Sequence, residues 1–223
     1  MPLHLLGISR RADVCREGDI HWVVEGELAA AAMPPPPPST GPLTHAALLA
    51  ALYRHGDILP VRFGVVLPHE EAVRELLVRR REVLLHDLDR LRGAGEIGLR
   101  IELPRAAMPP LPPAPAAACH TGSSPAQYLA ARRARYQLQD QLSRCAQFAT
   151  ETCVLAMKGL YRSWQRLSPE PPGIVRLAFL VERTLSAAFA ARLNGFRAQQ
   201  RAEQRTTLLG PWPPYSFVCP PGA

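Results

Sequence analysis

Gly210-Pro211-Trp212-Pro213-Pro214-Tyr215-Ser216-Phe217-Val218 is the stretch on which the reading of this chain turns. Prolines at 211, 213 and 214 fix φ and remove backbone donors, so the segment enters neither a helix nor a central strand. It runs extended, with Trp212, Tyr215 and Phe217 projecting from a stiff backbone. Three aromatics are too much apolar surface to leave in water, so the tail docks. The first expectation is packing on the C-terminal domain that precedes it; the alternative is that part of it meets a partner. Pro213-Pro214 holds the spacing of Trp212 and Tyr215, with little entropy to lose on either docking.

Upstream, the same marks of strand, helix and turn divide the chain. Leu3 to Ser9 and Ile20 to Val24 read as strands, with Glu27 to Met33 continuing past a turn at Gly26. Pro34 to Pro38 stops regular structure as a surface polyproline loop. Thr44 is the expected cap of a helix that ends at Gly56. Ile58-Leu59-Pro60-Val61-Arg62-Phe63-Gly64 follows as a strand, and Pro60 puts it at an edge or a bulge. Arg62 is expected to tie this strand to the next helix through a carboxylate or a carbonyl, with a partner surface as the alternative. One helix is expected from Glu70 to Leu91, with Val73, Leu76, Leu77, Leu84, Leu88 and Leu91 inward. Glu96 to Leu103 alternates, with Ile97, Leu99, Ile101 and Leu103 on the buried face and Glu96, Arg100 and Glu102 on the other.

The Pro/Ala-rich stretch 104–125 reads as a semi-rigid linker. A long helical pattern then runs from Ala126 to about Gln165, interrupted near Gly159. Ile174 to Glu182 is a strand with Val175, Leu177, Phe179 and Val181 inward. Thr184 is the expected cap of a helix to about Gln204 that buries Phe189, Leu193 and Phe196, and Thr206 to Leu209 is a short last strand. The fold class is therefore α+β in two parts. An N-terminal domain (1–103) has a small sheet covered by two helices; a helix-rich C-terminal domain (126–223) carries the tail at 210–223.

Composition bounds the function. The 223 residues carry a formal charge of +7, almost all of it from arginine, since Lys158 is the single lysine. The arginines interleave with glutamates, as in Arg79-Arg80-Arg81-Glu82, which reads as a solvated face; a basic nucleic-acid-binding module is kept as the alternative function. No apolar stretch reaches the roughly 18 to 20 residues that span a bilayer, and no secretory leader is visible, so a cytoplasmic protein without membrane contact is expected. Cys15, Cys119, Cys145, Cys153 and Cys219 show no metal spacing, and Cys145 and Cys153 read as small core residues. Gly93-Ala94-Gly95-Glu96-Ile97-Gly98 matches GxGxxG on paper. It lies between a helix and a strand, the reverse of the order that a dinucleotide site requires. The histidines are scattered, and Asp87 and Asp89 point to different faces of one helix, a poor acid–base pair. No enzyme, cofactor or metal site is expected.

Taken in order, Leu59 to Gly64, the amphipathic helix from Glu70, the strand from Glu96, Ala178-Phe179-Leu180-Val181-Glu182-Arg183 and the tail from Gly210 to Phe217 resemble the gas vesicle protein F/L family. The resemblance covers most of the chain after about Thr44. It implies a noncatalytic accessory or minor structural protein of gas vesicles, acting in the cytoplasm during assembly. The implied partners are the small apolar main shell protein and other accessory gas vesicle proteins, which a soluble partner with apolar grooves and sheet edges suits. The candidate structural or interaction residues are Pro60, Arg62, Phe63, Gly64, Trp212, Pro214, Tyr215 and Phe217.

Overall fold

The computed structural model describes residues 1–15, 18–35, 41–103, 125–168, 171, 173–200 and 205–218. Pro36 to Pro38 of the polyproline run, 104–124 of the linker, Cys119, His120 and Cys219 lie outside the described residues. The described chain is α+β, as its sequence pattern requires, and forms two units. The first holds Met1–Ile97, Leu180–Thr184 and the tail from Gly210; the second holds Gly98–Phe179 and Leu185–Leu209. The linear division at 103 and 126 differs from this grouping at 98–103, at 180–184 and at the tail. Strand pairing is the reason: three strands carry residues of both units, and pairing follows register rather than chain order.

In the first unit β1 (Leu3–Arg10) is the central strand. It pairs antiparallel with β3 (Leu28–Met33) on one side and with β4 (Ile58–Pro60) and β5 (Val66–Leu67) on the other. β2 (His21–Glu25) adds outside β3, giving the order β2-β3-β1-β4. Pro60 thus sits on an edge strand, where a missing N–H costs no ladder bond. The register shifts between Leu5 and Gly7. Across that irregularity Leu5 and Ile8 enter one core cluster while Leu6 enters another. The extra residue changes which side chain faces which way, as a bulge does.

Helices cover both faces. Leu49, Leu52 and Tyr53 of α1 (Pro42–His55) pack with Leu6, Ala31 and Ile58. Val73 and Leu77 of α2 (Glu70–Arg79) and Leu84, Leu88 and Leu91 of α3 (Arg81–Leu91) pack with Leu5, Ile8, Val23, Leu28, Ala30 and Ala32. Ala29 to Ala32 are all fully buried, and their small side chains let helices approach from two sides. Two expectations are corrected. The segment 70–91 is two helices joined at Arg80, so three helices cover the sheet. Helix α1 begins at Pro42 with Gly41 as cap, because proline is preorganised for the first turn; Thr44 lies inside it.

The second sheet has the order β7-β8-β6-β9, from β6 (Ala94–Glu102), β7 (Ser163–Arg166), β8 (Ile174–Glu182) and β9 (Arg205–Trp212). β8 has the expected bounds, but besides Val175, Leu177, Phe179 and Val181 the alternate residues Ala178 and Leu180 are also buried, as befits an interior strand. β9 is an edge strand, which is how it admits Pro211. In the second unit Phe179 is the hub, with ring centroids 5.2 Å from Tyr161 and 5.3 Å from Phe189. Phe189 and Leu193 of α5 (Ser186–Gln199) and Cys153 of α4 (Pro125–Ala156) are fully buried. Burial pushes the Cys153 thiol up to about 12, so it is a core group rather than a reactive one. Helix α4 stops at Ala156, not near Gln165, because the chain turns at Gly159 and 163–166 pairs as β7. Leu185, not Thr184, is the N-cap of α5, and that helix ends at Gln199.

Segments far apart in sequence meet at Asp57 in the first unit. Its Oδ2 accepts from the Gly93 N–H at 3.0 Å, and its Oδ1 accepts from the Arg183 guanidinium at 3.0 Å. Arg183 also donates to the Gly56 carbonyl at 2.9 Å, and lies over the Tyr53 ring at 4.0 Å. Tyr53 Oη donates to the Ala94 carbonyl. A Cβ at Gly95 would fall 2.1 Å from Tyr53 Oη, so this strand approaches Tyr53 closer than any side chain permits. Gly95→Ala is therefore expected to destabilise by about 1–3 kcal/mol in chemical denaturation. In a Tyr53→Phe background, where the hydroxyl is gone, the same substitution should cost clearly less. An equal cost in both backgrounds would remove Tyr53 as the reason for the glycine.

Candidate interaction site

The turn after β4 is hung from β1 at both ends. The Val61 N–H donates to the Leu6 carbonyl at 2.9 Å, and the Leu5 N–H to the Val65 carbonyl at 3.0 Å. Gly64, at φ +91°, supplies the left-handed residue that reverses the chain. Pro60 is buried and anchors the turn opposite Gly7. Arg62 and Phe63 are then presented outward. Arg62 is exposed and makes no hydrogen bond or ion pair among the described residues. The tie to the next helix that was expected of it is not made. The reason is local: Arg62 lies past the end of β4, where strand alternation no longer aims it.

Beneath Phe63 lie two histidines, both buried. His4 of β1 and His45 of α1 have ring centroids 5.1 Å apart, and Phe63 meets them at 5.4 and 5.7 Å in T-shaped contacts. His45 Nε2 is 2.9 Å from the Val61 carbonyl, and the Gly64 N–H donates to His4 Nε2 at 3.3 Å. Burial lowers both from the usual histidine range, and His45 lowers His4 further. The scattering of histidines in the sequence concealed this pair; β1 and α1 bring it together.

The tail binds the first unit, not the C-terminal domain. Pro213 and Pro214 are buried, and Phe217 and Val218 pack on the core cluster that holds Leu5, Leu84 and Leu88. Glu96, expected on the polar face, is buried. Its Oε2 accepts from the Ser216 N–H at 2.7 Å and its Oε1 from the Ser216 hydroxyl at 2.8 Å. Arg90 donates to the Phe217 carbonyl and, at 2.7 Å, to Asp87. Burial raises the Glu96 carboxyl above its ordinary value, against the lowering by both Ser216 bonds. Burial, with the Glu96 charge nearby, pushes the Tyr215 hydroxyl up to about 12.

Phe63, Trp212 and Tyr215 remain 41 %, 46 % and 38 % exposed on these pinned backbones. The turn and the tail both rest on the first unit's core, yet no hydrogen bond or ring contact among the described residues joins them. In the second unit, Phe148 and Leu155, seven residues apart on α4, are exposed, as are Tyr128, Leu129 and Tyr136 near its start. A groove of about 330 Å³ runs beside α4, with Leu138 and Leu142 on one wall, Leu103 and Ile174 on another, and Arg135 and Arg166 also lining it. Gly93 follows the end of α3, and 94–98 run into β6, so the GxGxxG string opens no helix.

Glu96→Ala removes the carboxylate that accepts both part-buried Ser216 bonds and is expected to destabilise by about 1–3 kcal/mol in urea melts. The raised carboxyl also sets a sign. Its contribution is complete below the unfolded value of about 4.3 and is lost as pH rises through the folded value. Wild type minus Glu96→Gln should therefore lose stability with rising pH in that window; a flat difference would rule out a desolvated Glu96.

The gas vesicle synthesis protein GvpL/GvpF family matches residues 7–219. Gas vesicle protein L of Streptomyces sp. (strain CB03234) is 31 % identical over 183 residues, covering 78 % of this chain and 67 % of that protein. The crystal structure of gas vesicle protein GvpF from Microcystis aeruginosa superposes with a TM-score of 0.74 at 17 % identity, covering 98 % of this chain and 99 % of that one. GvpF from Anabaena sp. PCC7120 gives 0.74 at 16 % identity, covering 98 % and 96 %. The fold is that of GvpF, and no helix among the described residues is long and apolar enough to cross a membrane. By sequence over nearly its whole length, the chain belongs to the GvpL/GvpF family of gas vesicle synthesis proteins.

Proposed function

We propose that this protein is a noncatalytic accessory or minor structural protein of gas vesicles, acting in the cytoplasm during assembly. It does so by contacting the main shell protein and other gas vesicle proteins. The family supplies the vesicle role. The observation that carries the contact reading is the way the first unit presents aromatic side chains. Phe63, Trp212 and Tyr215 stand partly in water, while Pro60, Pro214 and the Ser216–Glu96 bonds fix the backbone beneath them. Aromatics held on a rigid frame bind a partner with little entropy left to lose, and such residues dominate binding energy in protein interfaces. Arg62 beside Phe63 adds a cation with no partner of its own among the described residues, suited to a carboxylate.

Two paired substitutions test this in the full chain, Arg62→Ala with Phe63→Ala and Trp212→Ala with Tyr215→Ala. Each pair is expected to weaken capture of the purified main shell protein by about tenfold or more, with a much smaller change in melting temperature. Capture equal to wild type for both pairs would remove these residues from the interface. Retarded DNA at physiological salt, with no capture of shell protein, would favour a nucleic-acid module instead.

A further inference from the structure

Two buried nitrogens of the first unit, His4 Nδ1 and His45 Nδ1, have no hydrogen-bond partner among the described residues. The residues that carry them are 1 % and 4 % exposed. The backbone decides both tautomers. A carbonyl only accepts, so His45 Nε2 carries the proton that it donates to Val61, and its Nδ1 is a bare lone pair while the ring is neutral. An amide N–H only donates, so His4 Nε2 is an acceptor for Gly64, and the proton of neutral His4 sits on Nδ1. One unused donor and one unused acceptor thus lie on rings with centroids 5.1 Å apart. The same tautomers forbid a shared metal: a metal on His4 Nδ1 needs a proton on Nε2, where the Gly64 N–H already points.

The charges around the pair are few. β1 contributes His4 and α1 contributes His45. The turn contributes Arg62, which is exposed, and β3 and β5 place Met33 and Val66 opposite His4. Among the described residues no carboxylate acts on either ring, and the charge that acts on His4 is His45.

We propose that His4 and His45 form a proton-operated latch on the Val61–Val65 turn: as neutral rings they hold Val61 and Gly64, and a proton added to the pair releases the turn with Phe63. The first proton goes to His45 Nδ1, the free lone pair. It leaves a buried cation beside the His4 N–H; the bond to the Val61 carbonyl persists and favours that cation, but desolvation is the larger effect and opposes it. A proton on His4 Nε2 instead displaces the Gly64 N–H directly. Either charge is hydrated once Phe63 swings away. Both rings are held below the ordinary histidine value of about 6.5. The stability that they contribute is therefore complete above that value and is lost as pH falls through the folded ones. The latch does not depend on the partner contacts proposed above, because it operates in the isolated protein.

Nitrogen-15 NMR of the full chain between about pH 7.5 and about pH 5 tests it. At the upper end His4 should be the Nδ1–H tautomer and His45 the Nε2–H tautomer. As pH falls, the Gly64 amide should move with the same midpoint as ring protonation. Amide exchange at Val61 and Gly64, corrected for its intrinsic pH dependence, should rise about tenfold while the β2–β3 ladder stays protected. His45→Gln keeps the donor to Val61 and cannot charge; it also removes the charge that lowers His4, so the Gly64 response should leave the wild-type midpoint and follow His4 protonation alone. The reverse tautomers, a Gly64 amide that stays still while either ring protonates, or the same Gly64 midpoint in His45→Gln would each overturn the latch. If the variant does not fold, the tautomers and the co-titration in wild type decide.

Discussion

The Asp57 carboxylate is the constraint on which the first unit depends. One oxygen holds the start of β6 through the Gly93 N–H, and the other holds Arg183 at the end of β8. Arg183 in turn lies over Tyr53, whose hydroxyl returns to the Ala94 carbonyl. The ring of contacts is closed, so each member orients the next. Its members come from α1, from the link before β4, from β6 and from β8. Hydrophobic burial brings such segments together without choosing a register; the fixed fork of a guanidinium and the two lone-pair faces of a carboxylate do choose one. Arg183 is about one-third exposed on its side chain, and Asp57 one-quarter, so the pair keeps some hydration and its value lies more in geometry than in energy.

Glu96 does for the tail what Asp57 does for the strands. A carboxylate buried on β6 would be costly alone, and the two Ser216 donors offset that cost. Prolines 213 and 214 are then buried, and Phe217 fills the core edge. The result separates two duties within one short segment. Backbone and small polar groups hold the tail down, while Trp212 and Tyr215 stay in part outside.

Much of this was legible in the sequence. Period-two and period-3.6 patterns located β6 and, as a single helix, the α2–α3 segment, because burial of one face leaves that trace directly; β8 is buried on both faces and showed as an apolar run. Pro60 marked an edge or a bulge and Pro211 excluded a central strand, since proline cannot donate to a ladder; that β9 runs on through Pro211 was not read. What escaped were the long-range choices. Glu96 continues an alternating strand and so reads as solvent-facing; only the tail folded over it makes it buried. Arg62 reads as a strand residue, but β4 ends two residues earlier. His4 and His45 carry no spacing signal, because their proximity is a product of helix packing on β1. The tail docks through its prolines and Phe217 while Trp212 and Tyr215 stay partly in water, and nothing local named the N-terminal core as its seat. The break at Arg80 likewise has no glycine or proline to mark it.

The first unit is written in three instalments. Its sheet and helices lie within the first 97 residues, its Arg183 clasp arrives after some eighty further residues, and its closing tail follows another helix and strand. On a ribosome, the early instalment must wait with the Asp57 carboxylate unclasped and the seat of Phe217 uncovered while the second unit is made. Such non-local closure is slow compared with local helix formation, and it leaves an apolar edge in view during synthesis. A chain arrested before residue 183 would therefore expose unfinished core rather than a smaller finished domain. The clasp and tail, late in the message, thus complete a body whose sheet and helices are made first.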